Sequence, residues 1–332
     1  MNRKASTLTR FITETQAGNP AVTEFSALLA QIGLAGKLIS RDLRRAGLTD
    51  ILGLTGETNV QGEAVKKLDT ITNETLIGVF QHSGLVCALA SEEMEKPLFF
   101  SENWPQGKYM LLVDPLDGSS NTDVNMPMGT IFSVLRYEGT TGPAAADMVQ
   151  AGTQQVAAGY LMYGSSTVLV FTSGKGVHEF TLDPTLGEYL LSREEIRMPP
   201  KGAVYSANEG NAGRWIPEVR RFIAYLKESD KDTGRPYTLR YSGCLVADVH
   251  RFLSGGGIYV YPAETDKPDG KIRLLYEANP LAMVVEQAGG QASTGTARIL
   301  AIQPKALHQR APLLIGSAQD VATADAFVQG KR

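Results

Sequence analysis

Apolar residues recur at helical spacing between Glu24 and Ala46. Phe25, Leu28, Leu29, Ile32, Ala35, Leu38, Ile39 and Leu43 share one face, and Gln31, Lys37, Ser40, Arg41 and Arg44 share the other. The pattern predicts an amphipathic helix, with Gly47 placed to end it at C′. Residues 47–63 hold four glycines in a polar stretch and read as a mobile loop. A second helix is predicted next, with Val65, Leu68, Ile71, Leu76 and Val79 as its buried stripe. The period then shortens. Leu85–Ala90, Tyr109–Val113, Thr130–Leu135, Val156–Met162 and Thr167–Thr172 are short apolar runs that predict strands, several covered on both faces. Pro199-Pro200-Lys201-Gly202 continues neither helix nor strand and reads as a break between two halves, 1–198 and 199–332. Beyond it the pattern predicts a helix over Ile216–Glu228, a strand at Ile258–Tyr261, a helix from Asn279-Pro280 and a strand at Leu313–Ile315. Helices and strands alternating over the whole length predict an α/β or α+β layered fold.

Composition narrows the function classes. Hydrophobic residues make up 43% and charged residues 20% of 332, which is ordinary globular usage and argues against a disordered chain. A net charge of −3 argues against a general nucleic-acid or membrane-surface binder, while leaving room for a small anion held by a few cations. The two cysteines, Cys87 and Cys244, exclude a disulfide framework and suit a reducing compartment. Four histidines without clustering argue against a His-built zinc site. The N-terminus has no apolar core of a secretory signal, and no run of about 18 apolar residues exists, so the expected address is the cytoplasm.

The most informative segment is Tyr109–Asn121, in which the hydrophobic run YMLLV leads into DPLDGSSN. The segment predicts a strand ended by a turn at Pro115, with Asp114, Asp117 and the Leu116 carbonyl facing one point. Hard oxygen donors of that kind suit Mg²⁺. Gly118, Ser119 and Ser120 are small residues whose backbone N–H groups can cradle a phosphate. Metal ligands beside a phosphate nest point to phosphoryl chemistry. Taken alone, Asp-Pro and Asp-Gly turns are common in solvated loops. Two further acidic features stand out: Glu92-Glu93 after the run Ala88-Leu89-Ala90-Ser91, and Glu277 ahead of an apolar helix, where a macrodipole partner is the ordinary reading.

DPLDGSSN with SEE upstream resembles the class I fructose-1,6-bisphosphatases of the lithium-sensitive sugar-phosphatase superfamily. NVQGE at 59–63, KLD at 67–69, GTIF at 129–132, AAGY at 157–160, YGSST at 163–167, NEG at 208–210, VADVHR at 246–251, GGIYVYP at 256–262 and KIRLLYEANP at 271–280 extend the likeness over nearly the whole chain. The resemblance implies a five-layer αβαβα sugar-phosphatase fold, with regulatory helices and metal site in the N-terminal half and most of the sugar site in the C-terminal half. It further implies a cytoplasmic homotetramer and a place in gluconeogenesis. It implies two or more Mg²⁺ ions per site, with Mn²⁺ as a substitute, held by Glu92, Asp114, Asp117, Glu277 and the Leu116 carbonyl. Asp117, Gly118, Ser119 and Ser120 would hold the 1-phosphate, and Glu93, Asp69 and Glu63 would relay the proton of the attacking water. Asn208, Arg240, Tyr241, Tyr259, Val260, Tyr261 and Lys271 would meet the sugar and the 6-phosphate, Arg240 from a neighbouring subunit. Asn211 stands where animal members have a tyrosine. Glu24, Phe25, Ser26, Lys108, Tyr109 and Arg136 fall where the family binds inhibitory AMP, and a helix N-terminus near Thr23–Glu24 would suit its phosphate. Equally, Lys108 and Arg136 read as solvated charges and Phe25 as helix core. The nearest alternatives are a sedoheptulose-1,7-bisphosphatase or dual bisphosphatase, and a catalytically dead regulatory protein on the same fold.

Overall fold

The computed structural model describes residues 6–15, 20–58, 64–100, 107–140 and 142–332. Helix α1 (Leu8–Thr15) precedes the long helix α2 (Pro20–Arg45). The described helix reaches back to Pro20, beyond the apolar stripe read from the pattern. Gly47 is not a left-handed cap; it lies in a 3₁₀ turn, Ala46–Leu48, that prolongs α2. The predicted loop is partly strand: β1 (Leu54–Thr58) pairs with β2 (Ala64–Lys66), while residues 59–63 lie outside the described residues. Helix α3 (Lys67–Gln81) buries Leu68, Asp69, Thr72, Leu76 and Phe80. Val65 belongs to β2 instead, and two polar residues share the buried face that the apolar pattern alone assigned.

A mixed eight-stranded sheet follows. It comprises β3 (Val86–Ser91), β4 (Leu98–Phe99), β5 (Tyr109–Asp117), β6 (Met128–Arg136), β7 (Ala157–Tyr163), β8 (Thr167–Thr172), β9 (His178–Asp183) and β10 (Glu188–Arg193), in the order β10-β9-β8-β7-β6-β5-β3-β4. The hairpin β9–β10 and helix α1 were not anticipated by the pattern, although Leu8, Phe11 and Ile12 of α1 are spaced i, i+3, i+4 and are all buried. Next come β11 (Val204–Ser206), α4 (Pro217–Lys227), β12 (Thr238–Leu239), α5 (Leu245–Gly255), β13 (Ile258–Tyr261) and β14 (Ile272–Arg273). A π-helical turn, Leu274–Ala278, leads into α6 (Asn279–Gln287), followed by β15 (Gln291–Ser293), β16 (Arg310–Ala311), β17 (Leu313–Gly316) and α7 (Ala318–Val328). The second sheet runs β12-β11-β13-β17-β15.

Side-chain alternation assigns the layers. Leu111, Val113, Phe132 and Val134 pack under α1, α2 and α3. Ile131, Ala158, Tyr160 and Val170, on the other face, meet α5 and α6 and the inner face of the second sheet through Tyr259, Leu313 and Ile315. Ile258, Val260 and Leu314 face outward against α4 and α7. The result is five layers, αβαβα, and β5 is buried along all nine residues. No described helix is long and apolar enough to cross a membrane.

Candidate active site

β5 does not end at Pro115, as the turn reading had it. It runs on to Asp117, with Asp114 opposite Ile131 and Asp117 opposite Gly129 on β6. Three steps on β5 therefore match two on β6, which is a bulge of one residue. The bulge decides where the acids point. Residues three apart on a regular strand face opposite sides. The extra residue restores parity, so Leu116 joins Leu111 and Val113 in the helix-side core while Asp117 turns to the side of Asp114. Pro115 is tolerated there because an unpaired bulge position needs no ladder N–H, and its carbonyl accepts from Thr130 Oγ1 at 2.8 Å. The Leu116 N–H donates to Asp114 Oδ1 at 3.1 Å.

Glu277 arrives from the π-helical turn, a widening of the helix that is common at functional sites. It is not the helix-start carboxylate that the sequence admitted. One carboxylate oxygen from each of Asp114, Asp117 and Glu277 lies within 4.8 Å of the others. Glu92 stands at the end of β3, where its N–H donates to Val113 O at 2.9 Å. Its Oε1 lies 2.5 Å from the Arg273 guanidinium, whose backbone N–H in turn donates to Glu277 Oε2 at 2.5 Å. Arg273 was not among the predicted site residues, although it lies within the KIRLLYEANP segment. Four buried carboxylates face one guanidinium. Burial, followed by mutual repulsion, pushes Asp114 well above the ordinary carboxylate range; burial also raises Glu92, with Arg273 opposing, and Asp117, with the Cys244 thiol and the Val246 and Leu245 amides opposing. A set of hard anionic oxygens with too little positive charge fits a divalent cation.

Asp69 is the third residue of α3. Its Oδ2 accepts from the Lys66 N–H at 2.9 Å, while Oδ1 is buried without a hydrogen-bond partner. Burial raises its pKa to about 6, with the neighbouring Glu93 adding to the rise and Ser119 opposing it. Asp69, Glu93 and Ser119 are thereby one cluster, and Ser120 is exposed beside it. Gly118 sits in the left-handed region at φ 77°. Glu63 lies outside the described residues.

The predicted sugar side also assembles. Tyr259 and Tyr261 are i, i+2 on β13, and their rings stack at 5.8 Å with 3° between planes. Lys271 Nζ lies 5.8 Å from the Tyr261 ring centre and 3.0 Å from Glu264 Oε1. Tyr241 hydrogen-bonds Asn208, and burial, then Tyr261 and the buried Asp248 and Asp117, push its hydroxyl up to about 12. Glu264 is buried and also meets Arg214 Nε at 3.2 Å, a pair absent from the sequence reading. Two predicted residues stand apart. The Val260 side chain faces the outer core, because alternation along β13 turns it away from Tyr259 and Tyr261. Arg240 is exposed; among the described residues its guanidinium bonds the neighbouring Leu239 carbonyl at 3.0 Å, and its backbone N–H donates to Tyr205 O at 2.9 Å.

The regulatory candidates form a separate group. Lys108 Nζ meets Glu24 at 3.1 Å, Phe25 packs edge-on to Tyr109 at 6.3 Å, and Tyr109 lies opposite Arg136 across β5–β6. Glu24 and Ser26 lie in the second turn of α2 rather than at its N-terminus, since the helix begins at Pro20. The free amides expected near Thr23–Glu24 are therefore those of an earlier turn.

Two family models cover the chain: fructose-1-6-bisphosphatase, N-terminal domain, matches residues 6–194, and the C-terminal domain of the same family matches 198–329. The chain belongs to the fructose-1,6-bisphosphatase family. A class 1 fructose-1,6-bisphosphatase from Trichormus variabilis is 52% identical over 99% of this chain and 94% of its own length. One from Chlorobium phaeobacteroides is 53% identical over 99% of both. The crystal structure of Leishmania major fructose-1,6-bisphosphatase in holo form superposes with a TM-score of 0.93 at 41% identity, covering 98% of this chain and 99% of that one. The T-state structure of the same protein gives 0.87 at 40% identity, with the same coverage. Membership of this fructose-1,6-bisphosphatase family makes the chain an enzyme and implies a divalent metal cofactor.

Proposed function

We propose that this protein hydrolyses the 1-phosphate of fructose 1,6-bisphosphate to fructose 6-phosphate and inorganic phosphate, with Mg²⁺ as the working ion and Mn²⁺ as a substitute. The observation that carries the reading is the convergence of Asp114, Asp117 and Glu277 within 4.8 Å, next to the tyrosine and lysine group of β13 and Lys271. Glu92 and the Leu116 carbonyl complete the proposed ligand set. When bound, the divalent ions supply Lewis acidity to the 1-phosphate and to the departing O1.

The chain's own residues do the rest. Asp69, with a pKa of about 6, is ionised above that pH and can accept a proton from the attacking water. Glu93 and Glu63 are proposed to pass that proton on. The water oxygen bonds to phosphorus, the P–O1 bond breaks, and O1 leaves as the sugar hydroxyl once protonated. Gly118, Ser119 and Ser120 hold the 1-phosphate. Lys271, Tyr241, Tyr261 and Asn208 hold the 6-phosphate end, Tyr259 backs them by stacking, the Val260 backbone lines the sugar, and Arg240 is left to reach a neighbouring subunit's site. Fixing both ends of the substrate converts binding into orientation at phosphorus.

The halves 1–198 and 199–332 are proposed as the metal-site and sugar-site domains. Self-association as a homotetramer is proposed from the family resemblance. The proposed setting is the cytoplasm and gluconeogenesis. Glu24, Phe25, Ser26, Lys108, Tyr109 and Arg136 are proposed to bind AMP as an inhibitor. The test of the main reading is phosphate release from fructose 1,6-bisphosphate and from sedoheptulose 1,7-bisphosphate, each with Mg²⁺. Release only from the seven-carbon substrate would move the assignment to the alternative phosphatase, and release from neither would leave a regulatory protein on this fold.

A further inference from the structure

We propose that Cys244 is a positioning residue for Asp117: its thiol and the first amides of α5 take up carboxylate oxygen Oδ2, so that Asp117 offers Oδ1 alone to a metal ion. The inference rests on the reading of Asp117 as a metal ligand. It goes further by assigning a role to a cysteine that neither the composition nor the predicted mechanism uses.

Cys244 is 1% exposed and points its sulfur at Asp117 across two layers of the fold. The Sγ–Oδ2 distance is 3.0 Å, and the Val246 N–H donates to the same oxygen at 2.8 Å. The sulfur also accepts from the Ala247 N–H at 3.4 Å and so serves as the N-cap of α5. The thiol hydrogen is the only donor that Cys244 can aim at a carboxylate, since sulfur facing an anion without a proton would repel it.

The cap is itself pinned. The Cys244 N–H donates to Ser242 Oγ at 3.1 Å, and Ser242 Oγ donates back to Cys244 O at 2.9 Å. Asn121 Nδ2 holds the Ser242 carbonyl at 3.1 Å, and the Ser242 N–H donates to the buried Asp248 at 3.2 Å. The backbone after Asp117 closes on the same cysteine. A Cβ at Gly118 would lie 2.7 Å from Cys244 Cβ, at a φ of 77° that already disfavours a side chain. A carboxylate held this way cannot swing both oxygens onto one ion. Mg²⁺ demands a near-octahedral shell, whereas Ca²⁺ accepts bidentate carboxylates, so the clamp also favours the smaller ion. Outer partners of metal ligands commonly tune affinity in this manner.

The test is Mn²⁺ binding by calorimetry to metal-stripped protein without substrate, for wild type, Cys244→Ala, Cys244→Ser and Asp117→Asn. Alanine removes the donor and should weaken binding about 3- to 10-fold, the range of a lost hydrogen bond. Serine keeps a donor and a cap and should stay within about twofold of wild type. Wild-type affinity in Cys244→Ala, or equal weakening in the alanine and serine variants, would overturn the proposal. Unchanged binding in Asp117→Asn would remove the metal-ligand reading itself. A second measurement keeps Cys244 and removes the other thiol by Cys87→Ala. The infrared S–H stretch of Cys244 should lie low in Cys87→Ala, as for a thiol bonded to an anion, and rise when Asp117→Asn is added. An S–H band indifferent to Asp117→Asn would also overturn the clamp.

Discussion

Replacing Asp69 by Asn should stabilise the metal-free protein while removing most of its activity. The Asp69 carboxyl titrates near 6 in the folded chain against an ordinary 3.8, chiefly because it is buried. The folded state therefore holds the proton longer than the unfolded chain does. The resulting destabilisation is absent well below pH 3.8, grows as pH rises, and is complete above about pH 6. A two-unit shift corresponds to roughly 3 kcal/mol at pH 8 and about 1.5 kcal/mol at pH 5. Asparagine keeps an oxygen for the Lys66 N–H, which now stands 2.9 Å from Oδ2, and removes the charge. For a chain of 332 residues, an unfolding entropy near 2.1 cal/mol/K per residue converts these figures to gains of about 4 °C at pH 8 and about 2 °C at pH 5. The assay is the melting temperature of both proteins in chelator across pH 5–8, with kcat measured on the same preparations in Mg²⁺. Activity should fall about 10²- to 10⁴-fold, as for loss of a general base. A melting difference that does not grow with pH would refute the raised pKa. A variant that melts higher yet turns over normally would refute the catalytic role and leave the electrostatics intact.

Asp114→Asn and Glu92→Gln should each lower activity more than about a hundredfold at any practical Mg²⁺ concentration, because each deletes an anionic oxygen from a hard-cation set; a Mg²⁺ titration of initial rates checks this. Lys271→Ala should raise KM for fructose 1,6-bisphosphate about 10- to 100-fold and change kcat much less, since a cation remote from the reacting phosphorus binds ground and transition states alike; a pure kcat defect would place Lys271 at the chemistry. AMP should inhibit without competing with substrate, and Arg136→Ala should be less sensitive, because Arg136 and Lys108 flank the start of β5 and Asp114 lies on the same strand. Wild-type indifference to millimolar AMP would remove the regulatory claim alone.

Much of this site was legible because its chemistry is local. DPLDGSSN places two acids, a proline and a glycine in eight residues, and each has a geometric consequence that can be read in order. The parity of Asp114 and Asp117 was not legible, since a bulge depends on register against β6 and not on β5 itself. Arg273 and Cys244 escaped for a related reason. Their partners, Glu92 and Asp117, are distant in sequence, and although Arg273 lies in the KIRLLYEANP segment, neither residue's local sequence names the acid it meets. Among the elements, buried strands such as Tyr109–Val113 showed their full apolar runs, whereas β9 and β10 mix polar and apolar residues, and the stripe of the eight-residue α1 is confined to Leu8, Phe11 and Ile12. The apolar stripe predicted for α3 left out the buried Asp69 and Thr72, because hydrophobic spacing does not reveal a buried polar residue; Asp69 was named only through the resemblance, and Thr72 is held by the Leu68 and Asp69 carbonyls.

The one-residue bulge at Asp114–Asp117 and the widened turn that carries Glu277 have a shared consequence for how such a chain can change over generations. Each arm of the acid cluster departs from regular geometry by a single inserted position. Trimming one residue from either segment would yield a tidier strand or a more regular helix, and would swing a carboxylate to the far side of its element. A length change in either segment must be matched at once by another, or its carboxylate leaves the cluster. These two short stretches should behave as a fixed reading frame, in which deletion scanning finds null activity in a protein that still folds.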